Sequence, residues 1–215
     1  MSKAICVMGE SGSGKTTAMR TLDPRTTYYI DCDKKGLAWK GWRQQYNAGN
    51  KNFWASRDLG KIQQVLEKIS AERPEIKTVV IDTLNTAMVD KEIRQMGDSS
   101  GYSKWIDLTQ YVWNICEAAS TLREGLTVII VMHSETVRDD LGYSFTRIKT
   151  NGRKLEKVVL ESLFSTVLLS RRKDDGSFIF ETVSKQSTAK SPLGAFSTEE
   201  IPNDMAAVLE ALEDF

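Results

Sequence analysis

This 215-residue chain has few cysteines, no excess charge of either sign and no long apolar runs, and each shortage excludes something. The three cysteines, Cys6, Cys32 and Cys116, show no C-x-x-C spacing and sit in apolar or strand-like stretches. They are expected as small buried residues in a reducing compartment. Lysine plus arginine and aspartate plus glutamate each number 29, so the molecule as a whole has no basic field to hold nucleic acid non-specifically. Any polyanion site must be a local patch. No apolar stretch approaches the roughly 18 residues needed to span a bilayer. The start, Met-Ser-Lys-Ala-Ile-Cys, enters a strand-like run almost at once and leaves no room for a signal peptide. The expectation is a cytoplasmic protein with no membrane partner. With 40% hydrophobic residues, the chain fits one domain over 1–215.

What is present begins at residue 4: Ala-Ile-Cys-Val-Met-Gly-Glu-Ser-Gly-Ser-Gly-Lys-Thr, an apolar run ending in Gly-x-x-x-x-Gly-Lys-Thr with every fixed position filled. Gly9, Gly12 and Gly14 let the backbone turn so that successive N–H groups face a polyphosphate, above the positive end of the following helix. The cradle therefore runs over Gly9, Glu10, Ser11, Gly12, Ser13, Gly14, Lys15, Thr16 and Thr17, and its ligand is ATP or GTP. Lys15 is expected to neutralise the β- and γ-phosphates and Thr16 to hold Mg²⁺.

Strand-like runs recur at 4–8, 27–31, 77–82 and 126–132, and their continuous apolar character suits strands covered on both faces, as in a parallel sheet. Helical stripes lie between them: Leu59, Ile62, Val65, Leu66 and Ile69, then Trp105, Leu108, Val112, Ile115, Ala119 and Leu122. Strand and helix alternate, which predicts an α/β fold. The runs 165–170 and 177–183 flank Lys-Asp-Asp-Gly and predict a hairpin turning at Gly176, and a last helix follows Pro202.

The run Val79-Val80-Ile81-Asp82 has the form of a Walker B strand, so Asp82 is expected as the metal-side acid beside Thr16. Tyr29-Ile30-Asp31-Cys32-Asp33 ends another strand with two carboxylates at alternate positions, which point to one side. If that strand lies next to the P-loop strand, either acid can face the γ-phosphate, and Asp33 is the better placed to polarise the attacking water. The alternative is that Asp31 caps a turn and Asp33 is solvated. The one histidine, His133, follows Val128–Met132 and emerges at the same sheet edge. That position suits a γ-phosphate sensor, and a structural histidine is the alternative.

With these four sites in order, the chain resembles the RecA-like ATPase superfamily, and within it the short phage-encoded ATP-binding proteins of the Sak type. The resemblance rests on Gly9 to Thr16, Tyr-Ile-Asp-Cys-Asp at 29–33, Val-Val-Ile-Asp-Thr at 79–83 and Val-Met-His-Ser-Glu at 131–135. It extends to the tail through Ser184-Lys-Gln, Ala189-Lys-Ser-Pro-Leu-Gly and Ile201-Pro-Asn-Asp. It implies a RecA-like P-loop core, a mainly parallel central sheet flanked by helices, with a C-terminal β-hairpin extension. It also implies ATP with Mg²⁺, water activation at Asp33, where many members have glutamate, and a switch residue at His133. A homo-oligomeric ring or filament follows from the same resemblance, with Lys185 and Lys190 as candidates for reaching a neighbour's phosphates; the alternative is that both are solvated surface lysines. Arg147, Arg153, Arg171 and Arg172 are equal candidates for completing a neighbour's site.

For single-stranded DNA, the stretch after His133 offers Arg138, Tyr143, Phe145, Arg147, Lys149, Arg153, Lys154 and Lys157, although Asp139, Asp140 and Glu156 dilute the charge. Its position resembles the second DNA-binding loop of recombinases, and Ile93 to Lys104 would be the first. Between Lys34 and Arg57, basic residues interleave with Trp39, Trp42, Tyr46, Phe53 and Trp54, and no acid occurs. That segment is either a platform for stacked bases or a packing element against the core or a neighbouring subunit. The expected function is an ATP-dependent single-stranded DNA-binding protein assisting phage recombination or annealing. A small nucleotide kinase, or a partner-dependent ATPase or adaptor in phage DNA replication, is the alternative.

Overall fold

The apolar runs become strands because residues alternate between two covered faces. In β1 (Lys3–Gly9), Ala4, Cys6 and Met8 join one buried cluster, while Ile5 and Val7 join the other. The computed structural model describes residues 1–96, 103–140, 142–150 and 158–215. After β1 come α1 (Lys15–Ala18), β2 (Thr27–Asp31), α2 (Trp42–Gln45), β3 (Phe53–Ala55), α3 (Leu59–Glu72), β4 (Thr78–Asp82), α4 (Leu84–Met96) and α5 (Ser103–Thr121). The second half contains β5 (Thr127–Arg138), β6 (Ser144–Ile148), β7 (Thr166–Arg172), β8 (Phe178–Glu181), β9 (Glu200–Pro202) and α6 (Met205–Ala211).

Among the described residues the strands form one nine-stranded sheet in the order β3-β2-β4-β5-β1-β7-β8-β9, with β6 paired to β5 off that path. The six strands from β3 to β7 are parallel, and β8 and β9 add antiparallel. The α/β fold with a mostly parallel sheet and C-terminal antiparallel strands agrees with the sequence. Gly176 has φ 85° and closes the β7–β8 hairpin as expected. Helices α3, α4 and α5 cover one face through Ile62, Leu66, Met88, Val112 and Ile115. The other face is covered by α1, the 37–46 segment and α6. Asp58 and Asp204 cap α3 and α6, accepting from Lys61 N at 3.1 Å and Ala207 N at 3.2 Å. All three cysteines are free and buried. Among the described residues no helix is long and apolar enough to cross a membrane.

Two expectations change. β2 does not lie next to the P-loop strand: β4 and β5 stand between them. The stretch after His133 is not a loop from its first residue either. β5 continues to Arg138 and folds back as β6, with Ser134 opposite Ile148 and Arg138 opposite Ser144. Arg153, Lys154, Glu156 and Lys157 lie outside the described residues, as do residues 97–102 of the stretch from Ile93 to Lys104.

Candidate functional site

β1 ends at Gly9, and the chain turns through Gly14 into α1. Gly14 has φ 94°, and a Cβ there would meet the Phe178 ring at 2.7 Å, so both conformation and space require glycine. At Gly9 an added Cβ would meet the Ser170 carbonyl oxygen at 2.7 Å. Ser170 holds the loop from below, its hydroxyl donating to the Ser13 carbonyl at 2.7 Å. The helix after the loop is shorter than the sequence suggests. α1 spans four residues and passes into a 3-10 turn at Met19–Thr21. Oriented backbone N–H groups and Lys15, rather than a long helix dipole, therefore carry the anion-binding character.

Lys15 is 6% exposed, and its ammonium donates to the carbonyls of Gly9 at 2.8 Å and Glu10 at 2.6 Å. Burial lowers its pKa to about 8 against the opposing pull of Asp82. A cation held at this cost beside its own loop's carbonyls fits a polyphosphate. The Ser13 and Ser134 hydroxyls are buried and have no hydrogen-bond partner among the described residues. Both residues line a cavity of about 490 Å³ beside the loop, together with Thr136, Thr146, Arg171 and Arg172.

Asp82 is buried at the end of β4, with Tyr29 Oη donating to Oδ2 at 2.6 Å and Thr83 Oγ1 donating to Oδ1 at 2.8 Å. Asp31, opposite it in register, accepts from Lys34 N at 2.8 Å and Gly36 N at 2.9 Å and so caps the turn. Asp33 accepts from Thr86 Oγ1 at 2.5 Å and pairs with Lys35. Burial raises its carboxyl, but the Lys35 and Thr86 hydrogen bonds and the Lys35 charge prevail, leaving it below the usual carboxylate range. His133 is opposite Gly9 in register. Burial and the nearby Lys15 charge lower its pKa, so the imidazole is neutral at neutral pH. Lys15 feels the charges of Asp82 and Asp33, and His133 feels those of Lys15 and Asp33, so the four groups gather at one edge of the sheet around Lys15.

Among the described residues no group of three or more histidine, cysteine, aspartate or glutamate side chains is placed to hold a metal ion. Mg²⁺ needs no such cluster, since it takes one or two protein oxygens and completes its shell with phosphates and water, and the buried Asp82 carboxylate at the end of β4 is an oxygen donor of that kind.

Sequence reasoning missed Asn85. Its Oδ1 accepts from His133 N at 2.8 Å and its Nδ2 donates to the Lys149 carbonyl at 2.7 Å, clipping β4's exit to both ends of the β5–β6 hairpin. Arg57 bounds the basic, aromatic segment but does not offer its charge to a ligand. It donates instead to the carbonyls of Cys32 and Asp33, each at 2.9 Å, and fixes the turn bearing Asp33. Trp39 rests edge-on against Tyr29 and Tyr46, and Trp42 packs on Phe53. Their rings are half-buried in the second core cluster, which is the packing alternative for that segment. Of the candidate arginines, Arg147 pairs with Glu135 at 3.0 Å and Arg171 with Glu181 at 3.1 Å, while Arg172 lies over Phe178. Lys185 pairs with Glu199 at 3.1 Å.

A family model described as an AAA domain matches residues 1–193. No curated protein matches the chain.

Proposed function

The chain belongs to the AAA domain family, a family of P-loop ATPases, and from that premise we propose that it is an ATP-driven single-stranded DNA-binding protein. Its role would be to assist recombination or annealing of phage DNA as a homo-oligomeric ring or filament. ATP is held by Gly9 to Thr17, with Lys15 leaving its loop carbonyls for the β- and γ-phosphates. Thr16 and Asp82 would hold Mg²⁺, which would supply charge neutralisation on the phosphates. Asp33, ionised and fixed by Thr86, orients the attacking water. Neutral His133 donates or accepts at the γ-phosphate.

The observation that carries this reading is the continuity of β5. One strand runs beside β4, carries His133 at the nucleotide edge, and continues as a paired hairpin to Arg138. That hairpin presents Arg138, Lys149 and Tyr143, the last 71% exposed. Phosphates can be tracked by the cations and a base stacked on the phenol ring. Asn85, in the first turn of α4, ties together the two chains at the base of the hairpin, so a shift at His133 moves the surface as a unit.

Phosphate release from ATP, measured with and without single-stranded DNA, tests the reading, with Lys15→Ala as control. DNA stimulation that vanishes in the variant is expected. ATP binding without stimulation would overturn the DNA reading and favour the partner-dependent adaptor. Phosphoryl transfer to a nucleoside monophosphate would favour the kinase, against which β5 stands between β1 and β4 as in the RecA-like order.

A further inference from the structure

We propose that Tyr29 is the positioning residue for Asp82, and that the aromatic segment following β2 serves to hold it there. The inference rests on the reading of Asp82 as the metal-side acid. Tyr29 and Val80 are opposite in the β2–β4 register, so Tyr29, Val80 and Asp82 project to one face of the sheet, and the phenol reaches one pleat forward to the carboxylate. The 2.6 Å hydroxyl-to-carboxylate contact is a charge-assisted hydrogen bond between two buried groups. With Thr83 donating to the other oxygen, both carboxylate oxygens have a fixed donor, and the group's rotation is set. The remaining lone pairs are then left for a ligand in one orientation.

The Tyr29 ring cannot swing away. It is fully buried, with Tyr46 edge-on at 5.4 Å, Trp39 edge-on at 6.4 Å and Phe53 stacked at 6.4 Å. Trp39 is fixed in turn by its indole N–H, which donates to Gln45 Oε1 at 2.7 Å. The interleaved aromatics of 34–57 therefore converge on one hydroxyl and one carboxylate. Their lysines face outward as a consequence of this packing: Lys34, Lys35, Lys40 and Lys51 are all exposed.

The test is a Mg²⁺ titration of protein holding a ribose-labelled fluorescent ATP, comparing wild type, Tyr29→Phe and Asp82→Asn. Tyr29→Phe keeps the ring and removes only the hydroxyl. It is expected to bind the labelled ATP without metal as wild type does, and to need about 10- to 100-fold more Mg²⁺ for half-saturation, the usual cost of losing a partner of a metal-ligating side chain. An unchanged midpoint in Tyr29→Phe with a shifted one in Asp82→Asn overturns the role of Tyr29 and leaves Asp82 standing. Unchanged midpoints in both overturn the metal-side reading as well. Site-specific 3-fluorotyrosine at position 29 gives a second readout that keeps the phenol. Its fluorine resonance should shift when Mg²⁺ is added to the nucleotide-bound protein, and a resonance indifferent to Mg²⁺ contradicts the proposal.

Discussion

Replacing Gly14 by alanine perturbs the P-loop in two separable ways. The residue sits at φ 94°, where a Cβ crowds its own carbonyl and costs roughly 1–2 kcal/mol. The same Cβ would lie 2.7 Å from two carbons of the Phe178 ring, which Arg172 covers, and overpacking of that kind costs about 1–3 kcal/mol. The sum is about 2–5 kcal/mol, a large share of the roughly 5–15 kcal/mol that holds a domain folded. In a chain of this length it corresponds to a melting temperature lower by roughly 4–20 °C. A double-mutant cycle in urea separates the parts. Gly14→Ala/Phe178→Ala should recover the overpacking share as a coupling of about 1–3 kcal/mol, while the backbone share persists. Zero coupling would mean that the ring does not abut the loop in solution. An undiminished Gly14→Ala would refute the left-handed turn itself.

Burial also gives Lys15 a pH signature. Its folded pKa of about 8 lies below the ordinary lysine value of about 10.5, so folding releases a proton between those limits. The nucleotide-free protein should then gain stability as pH rises from about 8 towards 10.5, by up to about 3 kcal/mol, because below that window a charged amine stays buried. Nucleotide needs the ammonium, so affinity should fall by up to tenfold per pH unit above about 8; pH-independent affinity from 7 to 10 in titration calorimetry would contradict this. Asn85→Ala leaves the His133 N–H and the Lys149 carbonyl without their partner. It should cost about 1–3 kcal/mol in urea and uncouple DNA stimulation from ATP hydrolysis; unaltered stimulation would show that the clip transmits nothing. Asp58→Ala removes the cap of α3 and should cost about 1 kcal/mol with ATP binding untouched, as thermal melts and nucleotide titration would report.

The P-loop was legible because its chemistry fixes residue types at fixed spacing, and Gly14 carries the left-handed turn that spacing demands. The parallel strands were legible from apolar runs too continuous for a one-sided sheet. Strand order was not, because the pairing of β2 with β4 rather than β1 is a tertiary choice that leaves no local pattern. The β5–β6 hairpin was hidden by its own composition. Beyond His133 the strand leaves the core, and Glu135, Thr136 and Arg138 read as loop while backbone pairing keeps them extended. The tryptophans left two readings open. Trp39 and Trp42 have the composition of a stacking platform, but only the tertiary position of Tyr29 and Phe53 shows which surface their rings meet. Asn85 gave no signal at all, since a single polar residue near a helix start is common and its partners lie 48 and 64 residues away.

The central claim is that the nucleotide sets the state of the β5–β6 hairpin. Its most direct test is the affinity of the purified protein for a fluorescent single-stranded oligonucleotide, measured at one salt concentration with ADP and with a non-hydrolysable ATP analogue, both with Mg²⁺. Binding should be markedly tighter with the ATP analogue, and that difference should disappear in Asn85→Ala. Equal affinity in the two nucleotide states would contradict it.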